Sequence, residues 1–357
     1  MTSVRRSDSL SRRPRLTLVA LALAMLTSLM AAGPSQAAKL FVVPTVDPGG
    51  PGASGPVFRY DVGGPSSTPT LDTTITDPTF DRPCCFTFGS TGELFVSNRG
   101  DGVSPGAGSI TRILDPQGAP VANGAITSPS FSGPHWAAFR QSELFVAQRG
   151  ANNVLRFVFD ASGAASLSDI ISAGLLPNGP RGVAFSESGE LFVAQCCGWD
   201  RINRYRFDSA GNAIPNGVIT GNGLDDPNDI AFSPSGELFA PNAFNNSISR
   251  FTFDAAGNAL PNGQITGPTL SGPAGLDFSP WGELFVGNAF PPSAVSRWTF
   301  DAAGNATFNG SFSTPPDALI DVEFAPQPAA QPVKPGKGCG DKNHVHERKA
   351  ECKHPHG

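Results

Sequence analysis

Phe232-Ser-Pro-Ser-Gly-Glu-Leu-Phe239 is one of five near-copies of a single phrase. The others are Phe88-Gly-Ser-Thr-Gly-Glu-Leu-Phe95, Phe139-Arg-Gln-Ser-Glu-Leu-Phe145, Phe185-Ser-Glu-Ser-Gly-Glu-Leu-Phe192 and Phe278-Ser-Pro-Trp-Gly-Glu-Leu-Phe285. Their glutamates, Glu93, Glu143, Glu190, Glu237 and Glu283, stand 50, 47, 47 and 46 residues apart. A period in that range marks a solenoid or a propeller.

The copy at residues 227–265 shows what one repeat builds. Ile230-Ala-Phe232 reads as a short strand. Ser233-Pro-Ser-Gly236 is a turn, with Pro setting φ at its second position and Gly closing it. Glu237 to Asn242 is a second strand and Ile248 to Phe253 a third. After the turn Asp254-Ala-Ala-Gly257-Asn258, Leu260 to Thr266 supplies a weaker fourth. Leu238 and Phe239 are adjacent, so both faces of the second strand want burial. Sheets covered on both faces fit blades stacked around an axis. A solenoid needs capping repeats, and none appears.

The ends complete the count. Leu40-Phe-Val-Val43 matches the second strand, and Val57-Phe-Arg-Tyr-Asp61 matches Arg250-Phe-Thr-Phe-Asp254. Leu319-Ile-Asp-Val-Glu-Phe324 matches a first strand with no continuation. Together they make one blade, inner strand from the C-terminal side and outer strands from the N-terminal side. The expectation is therefore an all-β, six-bladed β-propeller with four antiparallel strands per blade. Its ring is closed by a split blade, which leaves no free edge.

The chain has 357 residues with 41 Gly and 34 Pro but only 15% charged residues, as turn-rich all-β domains do. Aromatics are 26 Phe against 2 Tyr, suited to a dry interior. Residues 1–37 read as a signal peptide: Arg5, Arg6, Arg12, Arg13 and Arg15 precede an apolar run from Leu16 to Ala32, then Ser35-Gln-Ala37. Ser11-Arg-Arg13 loosely resembles a twin-arginine signal. The mature chain is expected to be secreted or periplasmic, a monomer without a stable membrane span. The propeller is expected over 38–326, a Pro-rich linker over 327–338 and a Cys/His-rich tail over 339–357. The leader and tail are basic while the whole chain carries a net charge of −5, so the body is acidic. An acidic body excludes nucleic acid as a partner.

The phrase Pro227-Asn-Asp-Ile-Ala-Phe-Ser-Pro-Ser-Gly-Glu-Leu-Phe239, with Asn245-Asn-Ser-Ile-Ser-Arg250-Phe, resembles the NHL-repeat and SMP-30/gluconolactonase-like propellers over residues 39–326. That resemblance implies a six-bladed ring. It also implies a calcium-dependent lactonase whose carboxylate and amide ligands ring the channel mouth. Four residues before each first-strand Phe this chain has Cys84, His135, Arg181, Asn228, Ala274 and Ile320. Only Asn228, with Asp229 beside it, matches the family's ligands, and a hard cation wants six or more oxygens. His135 reads as a polar rim residue, a general base or a soft-metal ligand. Arg181 reads as an anion holder or a partner for Asp225, Asp226 and Asp229.

Amides recur at the ends of the second strands: Asn98, Gln148, Gln195, Asn242 and Asn288. They are expected to cap the loops behind them. The repeated glutamates, with Lys39 in their place in the split blade, are expected to be solvated turn residues. Cys84-Cys85 and Cys196-Cys197 fall on one face, two blades apart. They read as vicinal disulfides, as buried thiols, or as a soft-metal site such as copper with His135. Trp199, Phe244 and Phe290 share that face.

Four of five histidines lie in the last 14 residues: His344, His346, His354 and His356, interleaved with Cys339 and Cys352. A Cys339–Cys352 disulfide or a divalent metal site fits them. The main functional expectation is an exported module binding a small molecule or an extracytoplasmic protein on the cysteine-bearing face. A metal-dependent lactonase or lyase is the alternative.

Overall fold

The computed structural model describes residues 37–44 and 55–327, apart from 103, 175–178, 292 and 315–318. The leader, the linker beyond residue 327 and the tail lie outside them. So do Cys339, Cys352, His344, His346, His354 and His356.

Blade 1 is split as expected. Its outer strands are β1 (Ala38–Pro44), β2 (Val57–Val62) and β3 (Thr70–Ile75). Blade 2 holds β4 (Pro83–Phe88), β5 (Leu94–Asn98), β6 (Ser109–Leu114) and β7 (Val121–Ile126). Blade 3 holds β8 (Pro134–Arg140), β9 (Glu143–Gln148), β10 (Asn153–Phe159) and β11 (Ala165–Ile171). Blade 4 holds β12 (Pro180–Phe185), β13 (Leu191–Gln195), β14 (Arg201–Phe207) and β15 (Ala213–Thr220). Blade 5 holds β16 (Ala231–Phe232), β17 (Leu238–Asn242), β18 (Ser247–Phe253) and β19 (Ala259–Thr266). Blade 6 holds β20 (Pro273–Phe278), β21 (Leu284–Asn288), β22 (Val295–Phe300) and β23 (Ala306–Phe312), and β24 (Leu319–Phe324) then completes blade 1.

Each blade is a four-stranded antiparallel sheet, and blade 1 has the order β24-β1-β2-β3. The inner strands β4, β8, β12, β16, β20 and β24 touch one another in sequence, and β24 returns to β4. The ring is closed.

The repeated phrase makes the contact between blades. The Phe that ends one copy packs edge-on against the Phe that begins the next. The pairs are Phe95–Phe139, Phe145–Phe185, Phe192–Phe232 and Phe239–Phe278, with centroids 4.9, 4.9, 5.1 and 5.0 Å apart. Phe285 meets Phe324 in the same way at 4.9 Å and so joins blade 6 to the split blade. Edge-to-face pairs add to area burial.

The glutamates are not solvated turn residues, and this corrects the expectation. Each pairs with an arginine on the next strand of its own blade. Glu93 takes Arg112 (2.9 Å), Glu190 takes Arg204 (2.7 Å), Glu237 takes Arg250 (2.9 Å) and Glu283 takes Arg297 (2.8 Å), while Glu143 takes Arg156. Glu283 is 1% exposed. The arginine lies over the phrase's second Phe and reaches the outer turn of the following blade. Arg112 donates to the Gly163 carbonyl, Arg156 to that of Gly211 and Arg297 to that of Ser67. In blade 1 the acid moves outward to Asp72, which accepts from Lys39 and Arg59. Arg59 still reaches the next blade, at the Pro116 and Gly118 carbonyls. Desolvating a carboxylate is repaid here by two-pronged guanidinium contacts.

Candidate functional site

Each complete inner strand is preceded or opened by a proline opposite the amide that ends the second strand. Pro83 faces Asn98, Pro134 faces Gln148, Pro180 faces Gln195, Pro227 faces Asn242 and Pro273 faces Asn288. Proline has no N–H for the ladder, and the register slips just after it in blades 2, 3, 4 and 6. Four of the five amides cap the loop behind. Asn98 accepts from Asp81 N, Gln148 from Ser132 N, Asn242 from Asp225 N and Asn288 from Ser271 N.

The channel lining differs from the expected positions. Cys84, His135, Arg181 and Asn228 were expected to line the mouth; Cys84 is fully buried, and His135 and Asn228 are each only 5% exposed. A channel of about 330 Å³ is lined instead by the position one before each Phe and, in blades 1, 3 and 5, by the position three before it. Trp136, Asp229, Asp321, Asp277, Glu323 and Thr87 face it, opposite Ala138, Ala184 and Ala231. The sequence expectation missed Asp277, Asp321 and Glu323, because it took the position four before each Phe, whereas alternation puts the positions one and three before it on the other face.

These carboxylates latch blades together. Asp229 accepts from Leu276 N of blade 6 at 3.1 Å. Asp277 accepts from Phe324 N of blade 1 at 2.7 Å, and Asp321 from Phe86 N of blade 2 at 3.0 Å. Burial pushes Asp277 and Asp321 up to about 7. Burial, then mutual charge, pushes Asp229 and Glu323 well above the usual carboxylate range.

The family's calcium does not fit these residues. The carboxylate oxygens are spent on backbone N–H groups. Among the described residues three metal-ligating groups come within 4.8 Å of one another at two places only, and both contain two cysteines. A hard cation takes oxygen, not thiol.

The first of these places is Cys84, Cys85 and His135. The two sulfurs are 3.0 Å apart as buried free thiols, one of the readings left open, rather than a vicinal disulfide, and Cys84 Sγ also lies 3.6 Å from the Pro134 carbonyl. Burial, then the positive charges of Arg181, Arg99 and Arg149, holds His135 well below its usual range. Its Nδ1 has no hydrogen-bond partner. The second place is Cys196, Cys197 and Asp226. There the sulfurs are in direct contact, on Cα atoms 3.8 Å apart. Cys197 takes a left-handed φ of 64° and its N–H donates to Asp226 Oδ1 at 2.8 Å.

Arg181 joins the two places. Its Nη1 is 3.6 Å from Asp226 Oδ2, and its Nη2 is 3.7 Å from Cys197 Sγ. Burial lowers Arg181 to about 10 against the pull of Asp226, and Arg149 and Arg99 push the same way as burial. It stays cationic at neutral pH. Three guanidiniums from blades 2, 3 and 4 thus converge. Arg99 Nε and Nη2 and Arg181 Nε are buried without a hydrogen-bond partner. Arg99 and Arg149 each follow a cap amide and precede a glycine, as Asn98-Arg-Gly100 and Gln148-Arg-Gly150, a signal that aligning the repeats would have exposed. Around them Trp199, Phe244 and Phe290 are 39%, 65% and 46% exposed.

No family model matches the chain, and neither does any curated protein. Solved structures do. A candidate 6-phosphogluconolactonase from Bacteroides fragilis is 12% identical with a TM-score of 0.60, covering 83% of this chain and 99% of its own. A periplasmic gluconolactonase from Pseudomonas aeruginosa is 19% identical with a TM-score of 0.59, covering 82% and 86%. A chain of a nidogen/laminin complex is 15% identical with a TM-score of 0.57, covering 80% and 98%. Likeness at this level carries the fold, which hosts unrelated functions: the chain is a six-bladed β-propeller similar to gluconolactonase-type structures.

Proposed function

We propose that this chain is an extracytoplasmic propeller that opens an anionic sugar lactone at the cysteine-bearing mouth. The observation that carries the reading is the convergence of Arg99, Arg149 and Arg181 with Asp226 as the carboxylate that pairs with Arg181. Surplus guanidinium donors in a partly desolvated mouth favour a phosphate or carboxylate. The lactonase names of two similar folds supply the substrate class. The leader-like residues 1–37 agree with export.

In this reading one guanidinium binds the anionic arm and another polarises the lactone carbonyl, stabilising the oxyanion as it forms. Asp226 Oδ2 takes a proton from the attacking water. The water oxygen bonds to the carbonyl carbon, the ring C–O bond breaks, and the proton passes to the departing alkoxide. His135 sits with Cys84 and Cys85 rather than with Asp226, and it takes no part in this step.

Ring opening of 6-phosphogluconolactone and of gluconolactone tests the reading. The phosphorylated lactone is expected to have the higher kcat/KM, by about tenfold or more. Asp226→Asn is expected to lower kcat about 100-fold, and Arg181→Gln to raise KM. Binding of both lactones without turnover would leave a recognition module. Neither binding nor turnover would sink the proposal altogether.

A further inference from the structure

We propose that Cys84, Cys85 and His135 form a three-coordinate site for the soft monovalent cation Cu(I), joining blade 2 to blade 3. The proposal does not rest on the lactonase reading. It starts from geometry: one ligand atom from each residue lies within 4.8 Å of the other two. Cys84 and Cys85 are fully buried, and His135 is 5% exposed. Two sulfurs and an imidazole nitrogen are a donor set for soft or borderline metals, and they exclude calcium and magnesium.

The second observation is His135 Nδ1, which is buried with no hydrogen-bond partner. Such atoms are rare in native structures and call for an explanation. A metal bond is the explanation that the neighbouring sulfurs supply.

Coordination number separates the candidate ions. Among the described residues the cluster holds three ligating groups. Structural zinc takes four protein ligands, and catalytic zinc adds a water to three. A fully buried trio offers neither, whereas a three-coordinate d10 ion needs no fourth ligand.

Charge agrees. Two thiolates, a neutral imidazole and Cu(I) sum to one negative charge. Arg99 and Arg181 act on Cys85 against the carboxylate of Asp321, and both act with Arg149 on His135. The buried Nε and Nη2 of Arg99 have no hydrogen-bond partner to neutralise them. On binding, both S–H bonds break, two protons leave for solvent, two S–Cu bonds form, and copper keeps its oxidation state.

The test is anaerobic titration of the reduced full-length protein with Cu(I) against a competing chelator. The parent is compared with Cys84→Ser/Cys85→Ser and with His135→Ala. Cys339, Cys352 and the tail histidines are present in all three, so their copper cancels in the difference. The parent is expected to bind one more copper than the double variant and to release about two protons with it. His135→Ala is expected to hold that copper at least about 100-fold more weakly. X-ray absorption of the parent is expected to show sulfur and nitrogen neighbours, and circular dichroism checks that each variant keeps the sheet fold. Equal copper counts in the parent and a folded double variant would overturn the proposal. So would tighter binding of Zn(II) than of Cu(I) at that site. If the double variant fails to fold, His135→Ala decides: unchanged copper affinity overturns the site.

Discussion

The residue that repeats most faithfully is the glutamate of the five-fold phrase, and its role is visible only in three dimensions. Read along the chain, it sits at a turn exit, where charged residues are normally solvated. In the fold it meets an arginine, and in four blades it also accepts from the amide of Asn123, Asn216, Asn262 or Asn309 on the outermost strand. Arg250 illustrates the energetics, since both its Nε and Nη2 contact Glu237 at 2.9 Å. Arg250→Ala strands a largely buried carboxylate and is expected to cost about 3 kcal/mol in urea unfolding. Arg250→Lys keeps the charge but loses the fork, so it is expected to recover less than half. A loss below about 0.5 kcal/mol would show the pair to be ornamental. The arginine partners were in the sequence all along, 13 to 19 residues after the glutamates. Nothing local ties those positions together, because the pairing depends on strand register.

At the scale of the element, the strands were legible and their inward faces were not. Periodic turns and the adjacent Leu-Phe pair set out four strands per blade. Strict alternation from Phe139, Phe232 or Phe324 puts the positions one and three before it on one face, and those are the positions that reach the channel, as in Trp136 and Ala138 or Asp321 and Glu323. The expectation took the position four before each Phe, on the other face, so Cys84, His135 and Asn228 were expected in the channel while Asp277 and Glu323 were overlooked. The second strand of each blade carries the cross-blade aromatic. Phe239 is 1% exposed and touches Phe278 and Phe300 of the next blade. Phe239→Ala is expected to destabilise by about 3–5 kcal/mol, and Phe239→Leu by clearly less. Equal effects would mean that shape at this contact does not matter.

For the whole molecule, closure is the organising fact. The split blade joins β24 to β1, and Arg297 and Asp277 tie it to blade 6 while Arg59 and Asp321 tie it to blade 2. The latch also sets a pH response. Asp277 and Asp321 bind protons more tightly folded than unfolded, because burial raises both to about 7. Their stabilising contribution is complete below the ordinary carboxylate value near 4 and is lost as pH rises through about 7. The urea midpoint is therefore expected to fall between pH 4 and 7 through these groups, with Asp229 and Glu323 adding to the same trend. Asp277→Asn is expected to flatten that fall, and an unchanged slope would contradict the assignment.

The mouth lies at this scale too, since Arg99, Arg149 and Arg181 are far apart in sequence and come from three blades. Calorimetric titration with 6-phosphogluconate, at low and at high salt, tests the anion-binding mouth most directly. The account expects saturable binding that weakens as salt rises and falls more than about tenfold in Arg99→Gln and Arg181→Gln. Binding that ignores salt and survives both substitutions, or equal binding of an uncharged sugar, would contradict it.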